Sequence, residues 1–119
     1  MATAVKRKLS GSTDGKPIKV VATDTAGTAI HTAVAGTTAG TYDEVWLWAQ
    51  NNHTDVVTLT IEFGDATAPD SNIVVTLASK AGLVPIVPGL PLQNEATVKA
   101  FASVANTVCL SGFINSITD

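Results

Sequence analysis

Apolar and polar residues alternate in short stretches along this 119-residue chain. From 57 to 63 every odd-numbered residue is apolar, while Thr58, Thr60 and Glu62 lie between them. Residues 97–103 show the same alternation in a weaker form. Because a strand turns successive side chains to opposite faces, both stretches predict strands with one face in a core and the other in water. Glu62 is therefore expected on an exposed face.

Turn-forming residues separate these stretches from others like them. Glycine, proline, aspartate and asparagine divide the chain into short runs that are rich in β-branched and aromatic residues. Eight strands are predicted, at residues 18–23, 28–34, 43–50, 56–63, 72–78, 82–87, 96–103 and 107–114. Many short strands, frequent turns and no clear helical pattern predict a single all-β domain, an antiparallel sandwich or barrel.

The connections between the predicted strands add detail to this architecture. Residues 102–107 are short enough to form a hairpin between the last two strands. Pro85, Pro88 and Pro91 cannot donate to a hydrogen-bond ladder, so their segment is predicted to be an edge strand or an extended crossover. Small and flexible residues at 33–41 predict a long surface loop.

Trp46 and Trp48 fall on the same face of the strand predicted at 43–50, opposite the apolar residues Val45 and Leu47. Three interpretations of this pair remain open from the residues alone. The segment 81–92 could fold over them within the domain, or they could form a stacking platform for sugar rings. They could also lie in a subunit interface, where tryptophan is enriched among the residues that dominate binding.

Charge is scarce in the chain and unevenly distributed. Charged residues make up 14% of the total, against about 25% in typical soluble domains, which favours a surface partly covered by a partner. Residues 1–19 hold five basic residues and one acidic residue, whereas residues 20–119 hold two basic and nine acidic residues. This asymmetry predicts a basic N-terminal arm at 1–17 ahead of a β domain at 18–119, with a disordered, solubilising start as the alternative. Five basic residues without interleaved aromatics do not predict nucleic-acid binding.

No pattern in the chain predicts catalysis or a cofactor. His31, His53 and Cys109 lie in three separate segments without the short spacings of a metal site. No serine elbow, glycine-rich phosphate loop or carboxylate pair across a cleft is recognisable. We therefore expect no enzyme activity, no metal and no cofactor.

The single cysteine and the apolar runs indicate where the protein is made. Cys109 cannot form an intrachain disulfide. The basic N-terminus lacks the apolar run of a signal peptide, and the apolar segment 81–92 is too short for a membrane span. We expect a soluble protein made in a cytoplasm, without a membrane partner.

Several of these segments together resemble the small virion structural proteins of tailed bacteriophages that decorate, or cement, the capsid. The resemblance covers residues 9–118, and two motifs carry most of it: the turn "TIEFGDATAPD" at 60–70 and the segment "VPGLPLQN" at 87–94. It implies a protein on the outer surface of the virion, often a trimer, that clamps neighbouring copies of the major capsid protein.

The residues and the resemblance together give one working hypothesis. It describes a jelly-roll-like β-sandwich of about eight strands, with an extended basic arm, that stabilises the phage shell as a homotrimer and has no catalytic role. We expect capsid contact from Lys6, Arg7 and Lys8. Subunit contact is expected from four apolar residues, Trp46, Trp48, Val84 and Ile86. A carbohydrate- or receptor-binding module of a phage tail or head fibre is the alternative.

Overall fold

A computed structural model describes residues 2–119 as an all-β chain, with no helix and thus no helical membrane span within that range. It contains nine strands: β1 Thr3–Lys8, β2 Ile18–Lys19, β3 Thr28–Thr32, β4 Tyr42–Asn51, β5 Val57–Gly64, β6 Asn72–Leu77, β7 Val84–Leu92, β8 Thr97–Ala102 and β9 Val108–Thr118. Each predicted strand has a counterpart among β2 to β9. The sequence pattern missed β1.

The strands form two antiparallel sheets. Sheet A has the order β1-β9-β4-β7, with β2 also paired to β9, and sheet B has the order β3-β8-β5-β6. The pairings are nested along the chain. β1 and β2 pair with β9, β3 with β8, β4 with β7, and β5 with β6. The chain therefore runs out and back as one long folded ribbon.

The core lies between the inner faces of the two sheets. β4 contributes Val45, Leu47 and Ala49 from sheet A, and β5 contributes Leu59 and Ile61 from sheet B, all of them buried. This is the alternation expected of strands with one face in the core. The predicted all-β class is confirmed, with two antiparallel sheets. Burial of these apolar side chains, the dominant favourable term in folding, holds the two sheets together.

The predicted hairpin between the last two strands is wrong. β8 belongs to sheet B and β9 to sheet A, so residues 103–107 cross from one sheet to the other. The Asn106 amide donates to the Val20 carbonyl, which ties this crossing to the segment that follows β2. A short connection rich in turn residues fits both a hairpin and a crossing.

The proline segment is an edge strand, as one of the two predicted alternatives states. β7 pairs only with β4, and the pairing shifts register between Val45 and Trp46 and again between Leu47 and Trp48. The two shifts leave Gly89 and Ile86 out of the ladder, while the three prolines keep partners in β4. An edge strand tolerates such residues without an N–H donor. The loop predicted at 33–41 is confirmed between β3 and β4.

The expectation that Glu62 is exposed is wrong. Its side chain points away from the core, but it is only 1% accessible because residues 25–27 lie over it on the outer face of sheet B. The Glu62 carboxylate accepts hydrogen bonds from Thr25 Oγ1 at 2.5 Å and from the Gly27 amide at 2.6 Å. A Cβ at Gly27 would meet the Ala100 backbone at 2.5 Å, so this segment lies directly on β8.

Residues 3–8 of the predicted arm form the edge strand β1, paired along its whole length with the C-terminal half of β9. All six residues are exposed. The strand has almost no apolar alternation of its own, so its position depends on the backbone ladder with β9. Met1 lies outside the described residues.

Candidate functional site

The outer face of sheet A brings the two tryptophans beside other apolar side chains. In the ladder between β4 and β9, Trp46 is opposite Phe113. In the ladder between β4 and β7, Trp46 is opposite Pro88 and Trp48 is opposite Pro85. Residues opposite each other in an antiparallel pair point to the same face. We call this surface of Trp46, Trp48, Phe113, Pro85 and Pro88 the aromatic face.

The three aromatic rings of this face contact one another in nearly parallel orientations. The ring centroids of Trp46 and Trp48 are 6.4 Å apart with an interplanar angle of 18°. Phe113 lies 6.0 Å from each tryptophan, at angles of 15° and 28°. These separations are within the range of favourable aromatic pairs. All three side chains are half-buried, and the prolines beside them are exposed, so the face is apolar and only partly covered by the chain itself.

Sequence reasoning missed Phe113, although the signal that identifies Trp46 and Trp48 is present in β9. Val108, Leu110 and Ile114 are buried on the inner face, which places Phe113 in the outward phase of that strand. In β4 the signal is a large apolar residue on the face that is not buried, and Phe113 gives the same signal in β9.

Gly89 in β7 allows the backbone of that strand to lie close to Trp46 of the aromatic face. Gly89 has a φ of +80°, and a Cβ on it would lie 2.8 Å from Trp46 Cζ2. Positive φ and the absence of a side chain are both properties of glycine. The indole of Trp46 therefore lies against the β7 backbone at this point.

Glu44 provides the polar boundary of the aromatic face. Its Oε1 accepts hydrogen bonds from Trp46 Nε1 at 2.7 Å and from Asn115 Nδ2 at 3.0 Å. Hydrogen bonding to the charged form favours ionisation. The bond from Asn115, followed by the bond from Trp46, lowers the pKa of Glu44 below its ordinary value of 4.5, and desolvation opposes this only in part. The carboxylate thus holds the Trp46 ring in position.

The three residues predicted to contact the capsid are all on β1 but have different surroundings. Lys6 Nζ lies 4.1 Å from the centroid of the Phe113 ring, a cation–π geometry. Lys8 Nζ donates to the Ser12 carbonyl at 3.0 Å. Arg7 pairs in register with the buried Ile114, so it lies on the opposite face of sheet A from Lys6.

The four residues predicted to form the subunit interface do not share one environment. Trp46 and Trp48 lie together on the aromatic face. Val84 pairs with the buried Ala49. Val84 and Ile86 are both half-buried and pack against the core. The structure therefore groups the two tryptophans with Phe113 and places both aliphatic residues largely in internal packing.

Ser10, His31 and Asp43 meet in an arrangement that resembles a catalytic triad in residue types only. His31 Nε2 is 2.8 Å from Asp43 Oδ2, and His31 Nδ1 accepts a hydrogen bond from the Ser10 backbone amide at 3.0 Å. Because Nδ1 is an acceptor, the ring proton is on Nε2 and the imidazole is neutral. Ser10 Oγ accepts from the Thr32 amide. Both ring nitrogens are thus engaged, and His31 has no nitrogen facing the Ser10 hydroxyl as a base would require.

A metal site would need several ligands in one place. Within residues 2–119, no group of three or more histidine, cysteine, aspartate or glutamate side chains is placed to hold an ion. His53 faces one carboxylate, with 3.9 Å between His53 Nε2 and Asp55 Oδ2. The candidate functional surface is therefore the aromatic face with the basic strand β1 beside it.

Comparison of the chain with protein-family models, with curated proteins and with solved structures finds no match.

Proposed function

We propose that this protein is a bacteriophage capsid decoration protein, which binds the major capsid protein on the outer surface of the virion and stabilises the shell without catalysing a reaction. The aromatic face is the observation that carries the proposal. Three aromatic rings and two exposed prolines form one apolar surface on a chain that is poor in charge. Contiguous apolar surface of this kind is typical of a protein–protein interaction site.

The nested strand pairing supports a jelly roll as the finer description of the fold. In this topology the first strand lies beside the last, the second beside the one before it, and so on inwards. The pairs β3 with β8, β4 with β7 and β5 with β6 follow that order. Viral capsid domains and lectins are among the proteins that use the jelly roll.

The basic edge strand supports a role in contacting the shell. Lys6, Arg7 and Lys8 are exposed on β1, and we assign them to the capsid contact. The aromatic face then joins subunits into a homotrimer. Each contact with the shell is modest, and three linked copies on a symmetric lattice bind with far greater avidity than one.

Co-sedimentation with phage heads that were assembled without this protein tests the proposal. We expect saturable binding and a higher temperature of head disruption. Changing Lys6, Arg7 and Lys8 together to glutamine should weaken binding by at least about tenfold, or about 1.4 kcal/mol. The matched control changes Lys16, Lys19 and Lys80 to glutamine, which removes the same charge elsewhere. Absence of binding by the unmodified protein would contradict the proposed function.

A glycan-binding module of a tail or head fibre is a second candidate, favoured by the near-parallel rings of Trp46, Trp48 and Phe113. Aromatic faces of this kind can stack on sugar rings. A glycan array followed by tryptophan fluorescence titration distinguishes the two candidates. A shift in emission with a defined oligosaccharide, together with no binding to heads, would replace the first candidate with the second.

A further inference from the structure

A groove of about 500 Å³ lies between β1 and β3, the edge strands of the two sheets. Arg7 and Lys8 line it from β1, Thr32 from β3 and Ser116 from β9. The groove is on the opposite face of sheet A from the aromatic face, because Arg7 pairs with the inward-facing Ile114. It is therefore a separate surface with its own chemistry.

The side chain of Arg7 has no bonding partner in the part of the chain that the structure describes. No ion pair or hydrogen bond engages its guanidinium among residues 2–119. A guanidinium presents five N–H donors in a planar fork that matches a carboxylate in two parallel hydrogen bonds. Arg7 is thus an unused donor set at the mouth of a groove.

Hydroxyl groups extend the donor set along the groove. Ser10 Oγ accepts a hydrogen bond from the Thr32 amide, so the proton of the Ser10 hydroxyl is available to donate. The hydroxyls of Thr32 and Ser116 make no hydrogen bond within residues 2–119. The groove therefore offers hydroxyl donors from β3, from β9 and from the segment after β1, beside one guanidinium.

The charge of the groove favours an anion despite the presence of Asp43. The Asp43 carboxylate is 4% exposed as a residue, and its Oδ2 accepts hydrogen bonds from His31 Nε2 and the Val34 amide. His31 is neutral, as its acceptor Nδ1 indicates. The Arg7 guanidinium is left as the cation without a protein partner, since Lys8 Nζ donates to the Ser12 carbonyl, and one oxygen of the Asp43 carboxylate already accepts two hydrogen bonds.

From this arrangement we propose that the groove between β1 and β3 binds an extended acidic segment of a partner protein, with Arg7 clamping one of its carboxylates. The donors are spread over β1, β3 and β9, which fits a polypeptide segment with acidic and polar side chains. Only the identification of that partner as the capsid protein rests on the proposed function. Binding of an acidic segment can be measured on the isolated protein.

Titration of the ¹⁵N-labelled protein with a short peptide of alternating aspartate and serine tests the proposal. We expect the amide signals of Thr32 and Ser116 to shift, whereas the matching asparagine–serine peptide should shift them little. Arg7→Gln should weaken binding by at least about tenfold, consistent with loss of a charge-assisted pair. Arg7→Lys keeps the charge but loses the planar set of donors, so its affinity should lie between those of the unmodified protein and Arg7→Gln. Lys19→Gln is the control, with affinity expected to stay within about twofold.

Four results would overturn the proposal. The first is equal binding of the asparagine–serine peptide, and the second is unchanged affinity in Arg7→Gln while its thermal unfolding matches the unmodified protein. The third is self-association of the protein that depends on Arg7 in sedimentation, which would make a second copy of the chain the occupant. Inorganic phosphate that abolishes peptide binding at equimolar concentration would replace the acidic segment with a simple anion. None of these results prevents the binding to phage heads from being observed, so the two proposals can fail separately.

Discussion

At the residue scale, Glu44 couples the protonation of one carboxyl group to the position of an aromatic ring. Its pKa is lowered because Asn115 and Trp46 donate to the carboxylate. A depressed pKa in the folded state stabilises the fold above the ordinary value of 4.5, and this contribution is lost as the pH falls through the lowered pKa. Protonation also removes an acceptor from Trp46 Nε1, so we expect tryptophan emission to change in the same pH range.

A fluorescence titration below the ordinary glutamate pKa checks this expectation. The emission change should have a midpoint below 4.5 and should be absent in Glu44→Gln, which cannot titrate. Glu95→Gln removes an exposed glutamate between β7 and β8 and should leave the change in place. An identical transition in Glu44→Gln would show that another group is responsible.

Gly89 is the second residue whose identity the aromatic face requires. In Gly89→Ala the new Cβ meets both a positive φ of +80° and the Trp46 ring at 2.8 Å. Strain in the left-handed region costs about 1–2 kcal/mol, and overpacking adds about 1–3 kcal/mol. Gly15→Ala is a matched control, because its φ is +83° and nothing lies within 4 Å of the new Cβ. Urea unfolding should show the larger loss for Gly89→Ala, and equal losses would mean that the contact with Trp46 has no energetic weight.

At the scale of elements, one buried carboxylate bonds residues 25–27 to sheet B. Glu62 accepts from Thr25 Oγ1 and from the Gly27 amide. Glu62→Gln replaces one acceptor oxygen with a donor, which leaves a buried group unpaired at a cost of about 1–3 kcal/mol. We expect faster hydrogen exchange at the Gly27 amide. Thr25→Val removes only one of the two bonds and should produce a smaller effect. Unchanged exchange at Gly27 in Glu62→Gln would show that the segment is held by other contacts.

The elements also show which parts of the fold are encoded locally. β5 and β8 could be predicted because burial on one face imposes a period of two on their residues. β1 could not, since its register depends on the distant strand β9. Whether residues 103–107 form a hairpin or cross between the sheets also depends on which sheet β8 and β9 each join. The burial of Glu62 depends on a segment some 35 residues away in the chain, which no local pattern contains.

In the candidate site, too, only the features with a local pattern could be predicted from the sequence. Outward tryptophans at 46 and 48 were visible in the sequence because they interrupt the expected polar phase of a strand. Their contact with Phe113 required the register of β4 against β9. The difference between Lys6 and Arg7, neighbours in sequence, required knowing which face of sheet A each side chain occupies. The groove beside Arg7 depends on the approach of two edge strands and could not be predicted from the sequence.

At the scale of the whole molecule, the two faces of sheet A give the protein two chemically distinct surfaces. The aromatic face carries apolar rings, with Lys6 at one side and Glu44 at another. The groove on the opposite face carries the free guanidinium of Arg7. A protein that joins copies of itself and also binds a shell needs two such surfaces. Because Arg7 is on the opposite face from the three rings, its contact can be removed without altering the aromatic face.

Sedimentation of the isolated protein tests the assignment of the aromatic face to subunit contact. We expect the unmodified protein to sediment as a trimer. Trp48→Ala should raise its dissociation constant by at least about tenfold, since truncation of a buried interface tryptophan costs about 2 kcal/mol or more. Val74→Ala is the control for loss of exposed apolar surface, because Val74 is 62% exposed on sheet B.

Trp48 also contacts Trp46 and Phe113 within its own chain, so its truncation alters the fold as well as the surface. Pro88→Lys separates the two effects, because it adds a charge to the aromatic face while leaving all three rings in place. If the face is an interface, Pro88→Lys should dissociate the trimer while the thermal unfolding of each subunit stays close to that of the unmodified protein. A trimer that persists in both variants would place the subunit contact elsewhere and leave the aromatic face free for the shell or for a glycan.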